Sequence, residues 1–473
     1  MAFHPELAGR DGMRDRDSPR QELIDAIVAG GDERMTLDAR GWNRYFVPAR
    51  QEGVIFNRGS CTCGFLVRDA YRPVDALHRR LEAGDDLLTV REHQRRRLRA
   101  VLGVDDDVDI FFAPSGSDLG YLPGLFHQLT RGGVLHTAVT ACDELGSGSV
   151  LAHESRYFSQ QNQLSQGNAV GTSVSGPGPK VTAFPTRGPD GVVIDHREAL
   201  LLAIETETVT AVQLVWSSKT GVRDDPTLVD DVLARGAAVW IDLCQLRPPI
   251  DVAAMFVRRG CVVMITGSKF FQAPPFCGAL LVPAPISERL RDATGDIHGY
   301  ERLFTALDAP ASWRPLVQQL SGASNVGLTL RWEAALCEME AFCTLDQISV
   351  SDTIARWRAA LVRELLDTDD AFDVISDPDD PTIVSFRCLR AGRALGLGEL
   401  NGVYRRVISA RRSLPGYERA FIGQPVESGG MAMLRLALGA NDIRKLLDGS
   451  ETVDDDRRLV DLIHSAIRCR GGD

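Results

Sequence analysis

The feature that most constrains the fold of this 473-residue chain is an alternation of short apolar runs with helical stretches between about residues 105 and 283. Continuously apolar strands separated by helices are typical of a mostly parallel sheet that is buried on both faces. The pattern therefore predicts an α/β fold with a seven-stranded type of sheet. The seven runs are Asp109–Ala113, Val134–Thr140, Val181–Phe184, Ala211–Trp216, Ala237–Ile241, Cys261–Ile265 and Ala279–Val282.

The regions on either side of this alternation have different patterns. Residues 1–73 are irregular apart from a predicted strand at 53–57, and residues 74–103 are helical in pattern. We expect residues 74–326 to form a large domain. Residues 327–473 begin with a long helix and continue with mixed helix and strand, which predicts a smaller α+β domain.

Composition excludes several classes of function. The chain has 53 basic and 64 acidic residues, a net charge of −11, and no basic stripe, which disfavours nucleic-acid binding. No apolar run is long enough to span a membrane, and the first 20 residues lack a secretory leader. The ten cysteines include one close pair, Cys61 and Cys63, without a metal-ligand spacing. We expect reduced thiols in a cytoplasmic protein without a metal site.

Two polar groups follow apolar runs. Ser115, Gly116 and Ser117 lie between the first run and a helical stretch, where backbone N–H groups and the helix dipole favour an anion. Taken alone, such a segment is also an ordinary turn. Asp242 ends the run 237–241, at the edge of a parallel sheet where ligands bind. Its structural alternative is a helix N-cap.

A lysine and an arginine complete the pattern. Lys269 follows the next run, 27 residues after Asp242, and it is one of only four lysines. A lysine at the end of a buried strand is costly unless it is used or paired, and a desolvated amine is a nucleophile for carbonyl groups. Arg435 alternates with apolar residues, so its guanidinium either binds a carboxylate or lies on a half-exposed strand. The other lysines are Lys180, Lys219 and Lys445.

Together these groups resemble those of the pyridoxal 5'-phosphate (PLP) enzymes of fold type I, the aspartate aminotransferase superfamily. The resemblance covers about residues 74–445. It implies that Ser115–Ser117 bind the PLP phosphate and that Asp242 pairs with the protonated pyridine nitrogen. It further implies that Lys269 forms the Schiff base and moves the α-proton of the substrate, and that Arg435 binds the substrate carboxylate.

The likeness is strongest to the class V branch, which includes cysteine desulfurases and kynureninases. Asp242-Leu-Cys-Gln245 stands where that branch has Asp-Ala-Ala-Gln, which implies that Gln245 lies at the phenolic oxygen of PLP. The loop 216–221 fits a Ser/Thr-rich loop of the branch and implies that Ser217 binds the cofactor. The segment 322–327 matches Gly-Thr-x-Asn-x-x-Gly, which implies that Ser324 reaches the phosphate of a partner subunit in a homodimer with shared active sites.

The sequence also departs from that branch. Ser268 replaces the usual histidine before the lysine and is expected to contact the phosphate. The usual ring-stacking histidine is missing, and the stacking residue stays unassigned. The nearby candidates are His153, Tyr157 and Phe158. A desulfurase needs a cysteine on a mobile loop, but Cys337, Cys343 and Cys388 fall on predicted helices and strands, which disfavours that activity.

Two further cations have open roles. We expect Lys219 to be a solvated loop residue, with an approach to the cofactor as the alternative. In the resembled enzymes the N-terminal segment, here residues 1–73, caps the active site. Arg58 in that segment is therefore a candidate for substrate binding, with a surface arginine as the alternative.

These residues predict an enzyme that acts on an α-amino acid through a PLP Schiff base at Lys269 and a Cα carbanion, in specialised biosynthesis. One alternative is a simple aminotransferase or a C–S or C–C lyase of the class V type. Another is a catalytically silent binding protein that keeps the fold. A nucleotide-binding dehydrogenase is disfavoured, because no Gly-x-Gly-x-x-Gly follows an early strand.

Overall fold

The computed structural model describes residues 20–51, 53–62, 64–130, 135–375 and 379–469. The strands are β1 Ile55–Arg58, β2 Asp109–Ala113, β3 His136–Val139, β4 Lys180–Ala183, β5 Ala211–Val215, β6 Ala238–Leu243, β7 Val262–Thr266, β8 Gly278–Val282, β9 Phe372–Val374, β10 Ile383–Arg390, β11 Arg393–Ala394, β12 Arg419–Ser428 and β13 Met431–Ala437. The helices are α1 Gln21–Val28, α2 Arg68–Glu82, α3 Leu87–Leu102, α4 Leu122–Thr130, α5 Ser149–His153, α6 Arg197–Thr206, α7 Leu228–Ala234, α8 Val252–Arg258, α9 Ala284–Arg291, α10 Arg314–Val317, α11 Val326–Cys343, α12 Gln347–Asp367, α13 Leu397–Ser409, α14 Ala440–Asp448 and α15 Val453–Arg468. Within the described ranges, no helix combines the length and the apolar character needed to cross a bilayer.

The seven predicted runs form one sheet in the order β2-β8-β7-β6-β5-β3-β4, and β8 alone runs against the other six strands. Alternate side chains of each strand enter different cores. Ile110 and Phe112 pack in the core that contains α11, whereas Phe111 and Ala113 pack in the core that contains α4. Burial on both faces explains why the runs are continuously apolar, and the mostly parallel α/β architecture is confirmed. Val134, at the start of one predicted run, lies outside the described residues.

The smaller sheet has the order β1-β12-β13-β10-β11, and β9 pairs with β10. Its pairings are antiparallel except for β1, which runs parallel to β12. The C-terminal part is therefore α+β, as predicted. Because β1 belongs to the N-terminal segment, that segment completes the smaller sheet. The predicted domain boundary at residue 74 falls inside α2, so it does not coincide with the end of an element.

Two elements differ from the sequence-based expectation. Helix α1 lies in the segment that was predicted to be irregular, and it packs on α11. Strand β12 was not predicted, because Gly423 and Pro425 interrupt its apolar pattern. The register of β12 against β13 shifts between Gly423 and Val426, so these residues form a β-bulge.

Candidate active site

A cavity of about 180 Å³ lies at the carboxyl ends of β2, β6 and β7. Ligands of open α/β sheets bind at this edge. Both sheets and the N-terminal segment contribute to its wall. The lining residues are Arg34, Tyr45, Cys61, Thr62, Ser115, Gly116, Ser117, Gly146, Ser147, Ser149, Lys219, Asp242, Cys244, Thr266, Ser268, Lys269, Phe276, Gln424 and Arg435.

One wall is formed by the predicted Ser-Gly-Ser turn. A Cβ at Gly116 would lie 3.0 Å from Thr266 Cγ2 and 3.2 Å from Cys244 Sγ, so the turn packs directly on the ends of β7 and β6. The Ser115 hydroxyl donates to Asp118 at 2.5 Å. Burial, followed by the nearby Asp32, raises the pKa of Asp118 to about 7.

Arg34 also reaches this turn, although no sequence signal pointed to it. Its Nη2 donates to Ser115 Oγ at 3.2 Å and its Nη1 to Ser117 Oγ at 3.4 Å. The guanidinium lies over the Phe276 ring, 4.4 Å from its centroid, and it pairs with Asp32 at 2.6 Å. The turn and this guanidinium together make a set of hydrogen-bond donors suited to an anion.

Asp242 is at the floor of the cavity, at the end of β6. Its Oδ1 accepts the backbone N–H of Cys244 at 2.9 Å. Burial raises the pKa of Asp242, while the Cys244 N–H and the positive charges of Lys269 and Lys219 act in the opposite direction. The carboxylate therefore favours a cationic partner in the cavity.

Two lysine side chains line the same cavity. Lys269 follows β7, and its Nζ donates to the Thr62 carbonyl at 3.2 Å. Lys219, predicted to be solvated, is half-buried instead, and this prediction is wrong because the loop after β5 folds under the smaller sheet. Burial, with the positive charges of Arg435 and Lys269, lowers the pKa of Lys219 to about 8.

Arg435 enters the cavity from β13. Its Nε and Nη2 donate to the Gln424 carbonyl at 3.1 and 2.5 Å, and its Nη1 donates to the Lys219 carbonyl at 3.0 Å. The β-bulge at Gly423–Val426 sets the position of the Gln424 carbonyl. Within the described parts of the chain, no carboxylate pairs with this guanidinium.

Arg58 lies elsewhere. Its side chain is fully buried, and it donates to both carboxylate oxygens of Asp456, at 2.7 and 2.9 Å, and to Glu451 at 2.9 Å. Burial alone would lower the pKa of Arg58, but Asp456 and Glu451 raise it. The structure thus places Arg58 in a closed ion-pair cluster and not in the cavity, so we do not retain it as a substrate-binding candidate.

Three predicted cofactor-binding residues do not line the cavity. Gln245 is buried and donates to the Cys61 carbonyl at 3.4 Å. Ser217 has a φ of +72°, and its hydroxyl donates to Asp380 at 2.7 Å. Ser324 is exposed on the loop before α11. By contrast, the cavity is lined by Ser115, Gly116, Ser117, Asp242, Ser268, Lys269 and Arg435.

The candidate ring partners also lie outside the cavity lining. His153 contacts Gln213 Oε1 at 2.6 Å, and burial lowers its pKa to about 4. Phe158 stacks on Tyr121 with centroids 5.7 Å apart. The wall at that position is made of small residues. A Cβ at Gly146 would lie 2.6 Å from Ser117 Oγ, so a larger residue there would displace that hydroxyl.

Comparison with known proteins locates the fold. No protein-family model matches the sequence, and no curated protein matches it. Among solved structures, the chain is similar to a cysteine desulfurase from Escherichia coli, with 16% identity and a TM-score of 0.56. The match covers 87% of this chain and 94% of the desulfurase. The sequence-based prediction is thereby confirmed at the level of architecture: this chain shares the fold of that cysteine desulfurase.

Proposed function

We propose that this protein is a PLP-dependent enzyme that acts on an α-amino acid, with Lys269 as the residue that carries the cofactor. The observation that carries the proposal is the convergence of an amine, a carboxylate and an anion-binding turn in one cavity. Lys269, Asp242 and Ser115–Ser117 come from three different strand ends, yet they line the same space. The fold shared with a cysteine desulfurase supports the same conclusion.

The residues present fit PLP. The Ser-Gly-Ser turn and Arg34 would hold its phosphate, because the guanidinium and the two serine hydroxyls lie within hydrogen-bond distance of one another on the cavity wall. Asp242 would hold the ring nitrogen, and Ser268 would lie beside the phosphate. When bound, PLP supplies an electron sink that stabilises negative charge at the substrate Cα.

The side chains of this chain would orient the substrate and transfer its α-proton. The Asp242 carboxylate would favour a protonated ring nitrogen, because a buried carboxylate favours a cationic neighbour. The Lys269 amine, held near the Thr62 carbonyl, removes or returns the α-proton. Arg435 orients the α-carboxylate, since a guanidinium forms paired hydrogen bonds with a carboxylate.

Borohydride trapping tests this assignment. The protein is incubated with PLP and reduced, and the modified peptide is identified by mass spectrometry. We expect the label on Lys269 and none in a Lys269→Ala variant. Lys180→Ala is the matched control, because Lys180 is exposed and pairs with Glu207 at 2.9 Å. A label on Lys219, Lys180 or Lys445 would contradict the assignment, and an unlabelled parent protein would contradict PLP dependence.

The reaction that follows proton removal is also a proposal. We favour a specialised biosynthetic reaction over simple transamination or C–S and C–C bond cleavage. Cys337 and Cys343 lie on α11 and Cys388 on β10, which disfavours a desulfurase. A silent binding protein is disfavoured because Lys269 and Asp242 are both kept. Purified holoenzyme incubated with a panel of amino acids, with products identified by mass spectrometry, separates these alternatives.

We further propose a cytoplasmic homodimer with shared active sites. The exposed position of Ser324 supports the dimer, since a partner subunit has access to that hydroxyl. Sedimentation of the PLP-loaded protein tests it, and an active monomer would contradict it. The nine described cysteines are free, which supports a reducing compartment.

A further inference from the structure

We propose that the substrate is an α-amino acid whose side chain ends in an anionic group, and that Lys219 binds this group beside Arg435. The inference rests on the proposed function, because it assigns a substrate class to the same cavity. It starts from two neighbouring cations that have no neutralising carboxylate.

Lys219 differs from the other lysines outside the proposed cofactor attachment. Lys180 pairs with Glu207 at 2.9 Å, and Lys445 pairs with Glu451 at 2.9 Å. Among the described residues, no carboxylate lies within ion-pair distance of the Lys219 ammonium, although the side chain is half-buried in the cavity wall. An ammonium that has lost water without gaining a partner costs free energy, which a bound anion would recover.

The nearest acidic residues on the packed elements are already engaged. Glu144 accepts hydrogen bonds from Ser218 and Thr220, and Asp143 accepts from Thr186 and Ser428. Both carboxylates act on Lys219 only from a distance and more weakly than the positive charges of Arg435 and Lys269. Asp242 also interacts with the Lys219 charge, but the proposed function assigns Asp242 to the cofactor, so no carboxylate is left to pair with the Lys219 ammonium.

Arg435 has too few free N–H donors to bind a second anion. A guanidinium has five N–H donors, and three N–H···O contacts already hold this one to the Gln424 and Lys219 carbonyls. The remaining donors suffice for one carboxylate, which the proposed function assigns to the α-carboxylate. Lys219 is therefore left for a second negative group on the same substrate.

The charges along the cavity agree with this assignment. Asp242 is the single carboxylate among the residues that line it, against Arg34, Lys219, Lys269 and Arg435. Arg34 is neutralised by Asp32, and Lys269 would carry the cofactor. Two positive charges remain for the substrate, which matches a dicarboxylate or a similar dianion better than a neutral side chain. The lowered pKa of Lys219, about 8, is consistent with an unpartnered ammonium.

Dicarboxylates without an amino group test this directly, because they bind without reacting. Succinate and glutarate are compared with butyrate by calorimetry on protein prepared with PLP. We expect the dicarboxylates to bind about tenfold or more tightly than butyrate. Lys219→Met should remove most of this preference, measured as the ratio of the succinate and butyrate affinities. Lys219→Arg should retain the preference, and the matched control Lys180→Met should behave like the parent.

A parent protein that binds succinate, glutarate and butyrate equally overturns the proposal without any variant. A preference that survives in Lys219→Met overturns the assignment to Lys219. L-aspartate and L-glutamate against L-asparagine and L-glutamine should show the same preference with the holoenzyme. Failure of the proposed function is seen separately, because absence of PLP labelling at Lys269 leaves the dicarboxylate titration readable.

Discussion

Arg58 and Arg435 are two buried arginines of the smaller sheet, and both are candidates for substrate binding on sequence grounds. In the structure they have opposite surroundings. Arg58 meets two carboxylates, Asp456 and Glu451, and has no access to the cavity. Arg435 meets only main-chain carbonyls, and its guanidinium lines the cavity.

The difference separates a cation that is paired within the protein from one that is left for a ligand. A buried charge that is paired within the protein stabilises the fold only in company with its partner, and removing one member leaves the other uncompensated. A buried charge that the protein leaves unpaired has lost hydration without compensation. Binding of an oppositely charged ligand offsets that loss. Burial alone does not distinguish the two, but the presence of a carboxylate does.

The largest effect is expected at the Arg58 cluster. Arg58→Met should lower the free energy of unfolding by about 3–5 kcal/mol, because Asp456 would remain buried without a cation and Glu451 would keep only Lys445 as its partner. Urea denaturation followed by circular dichroism measures this. The Arg58→Met, Asp456→Asn double variant should recover part of the loss. A single variant as stable as the parent would break the comparison.

Arg435→Lys should damage the site more than the fold. Losing the charge-assisted pair should cost about 2–4 kcal/mol, or roughly 30- to 1000-fold in catalytic efficiency with an amino acid. Urea denaturation should show a smaller loss than for Arg58→Met, since the substitution frees the Gln424 and Lys219 carbonyls but no buried carboxylate. PLP uptake, measured by absorbance, serves as the control and should persist. Unchanged amino-acid affinity would show that Arg435 is a strand residue only.

Arg34 is a paired cation that also lines the cavity, and its substitution tests whether it contacts the cofactor phosphate. Arg34→Met should weaken PLP binding by about 1.5–3 kcal/mol, because a charge-assisted contact to the phosphate is lost. Binding of pyridoxal, which lacks the phosphate, should change little. Arg40→Met is a matched control, since exposed Arg40 pairs with Asp38 two residues earlier, as Arg34 pairs with Asp32. Equal losses for PLP and pyridoxal would exclude a role at the phosphate.

The smallest effect is the pH dependence of dicarboxylate binding. Lys219 has a pKa of about 8, so its ammonium is charged below that pH and is lost above it. The roughly tenfold preference for succinate over butyrate should persist at pH 7 and disappear as the pH rises through and beyond 8. A bound anion raises the pKa and shifts the loss upward. Lys219→Arg should show a flat profile, because arginine stays charged.

The larger sheet could be predicted almost strand by strand, because strands that are buried on both faces have continuously apolar sequences. Asp242, Lys269 and the Ser115 turn were found for a related reason, since each directly follows such a run. Arg34 does not follow an apolar run. Its position depends on how the N-terminal segment folds back onto the turn at Ser115, which the local sequence does not show. The smaller sheet was harder, since the bulge in β12 breaks its pattern.

The placement of Lys219 and Arg58 was also beyond sequence reasoning. Lys219 lies in a polar loop whose composition indicates solvent, and only the packing of the smaller sheet over that loop buries it. Arg58 precedes a glycine in a segment that does reach the cavity through Cys61 and Thr62. Its partners Glu451 and Asp456 come from the far end of the chain, about 400 residues away.

The anchoring of Arg435 has a mechanical consequence. One of its carbonyl partners, Lys219, follows a strand of the larger sheet, and the other, Gln424, belongs to the bulge of the smaller sheet. The guanidinium thus connects the larger sheet to the smaller sheet through hydrogen bonds. A displacement of one sheet against the other by more than an ångström or so would lengthen these contacts beyond hydrogen-bond range. Under the proposed function, a shift of one sheet against the other would therefore also change how Arg435 binds the substrate.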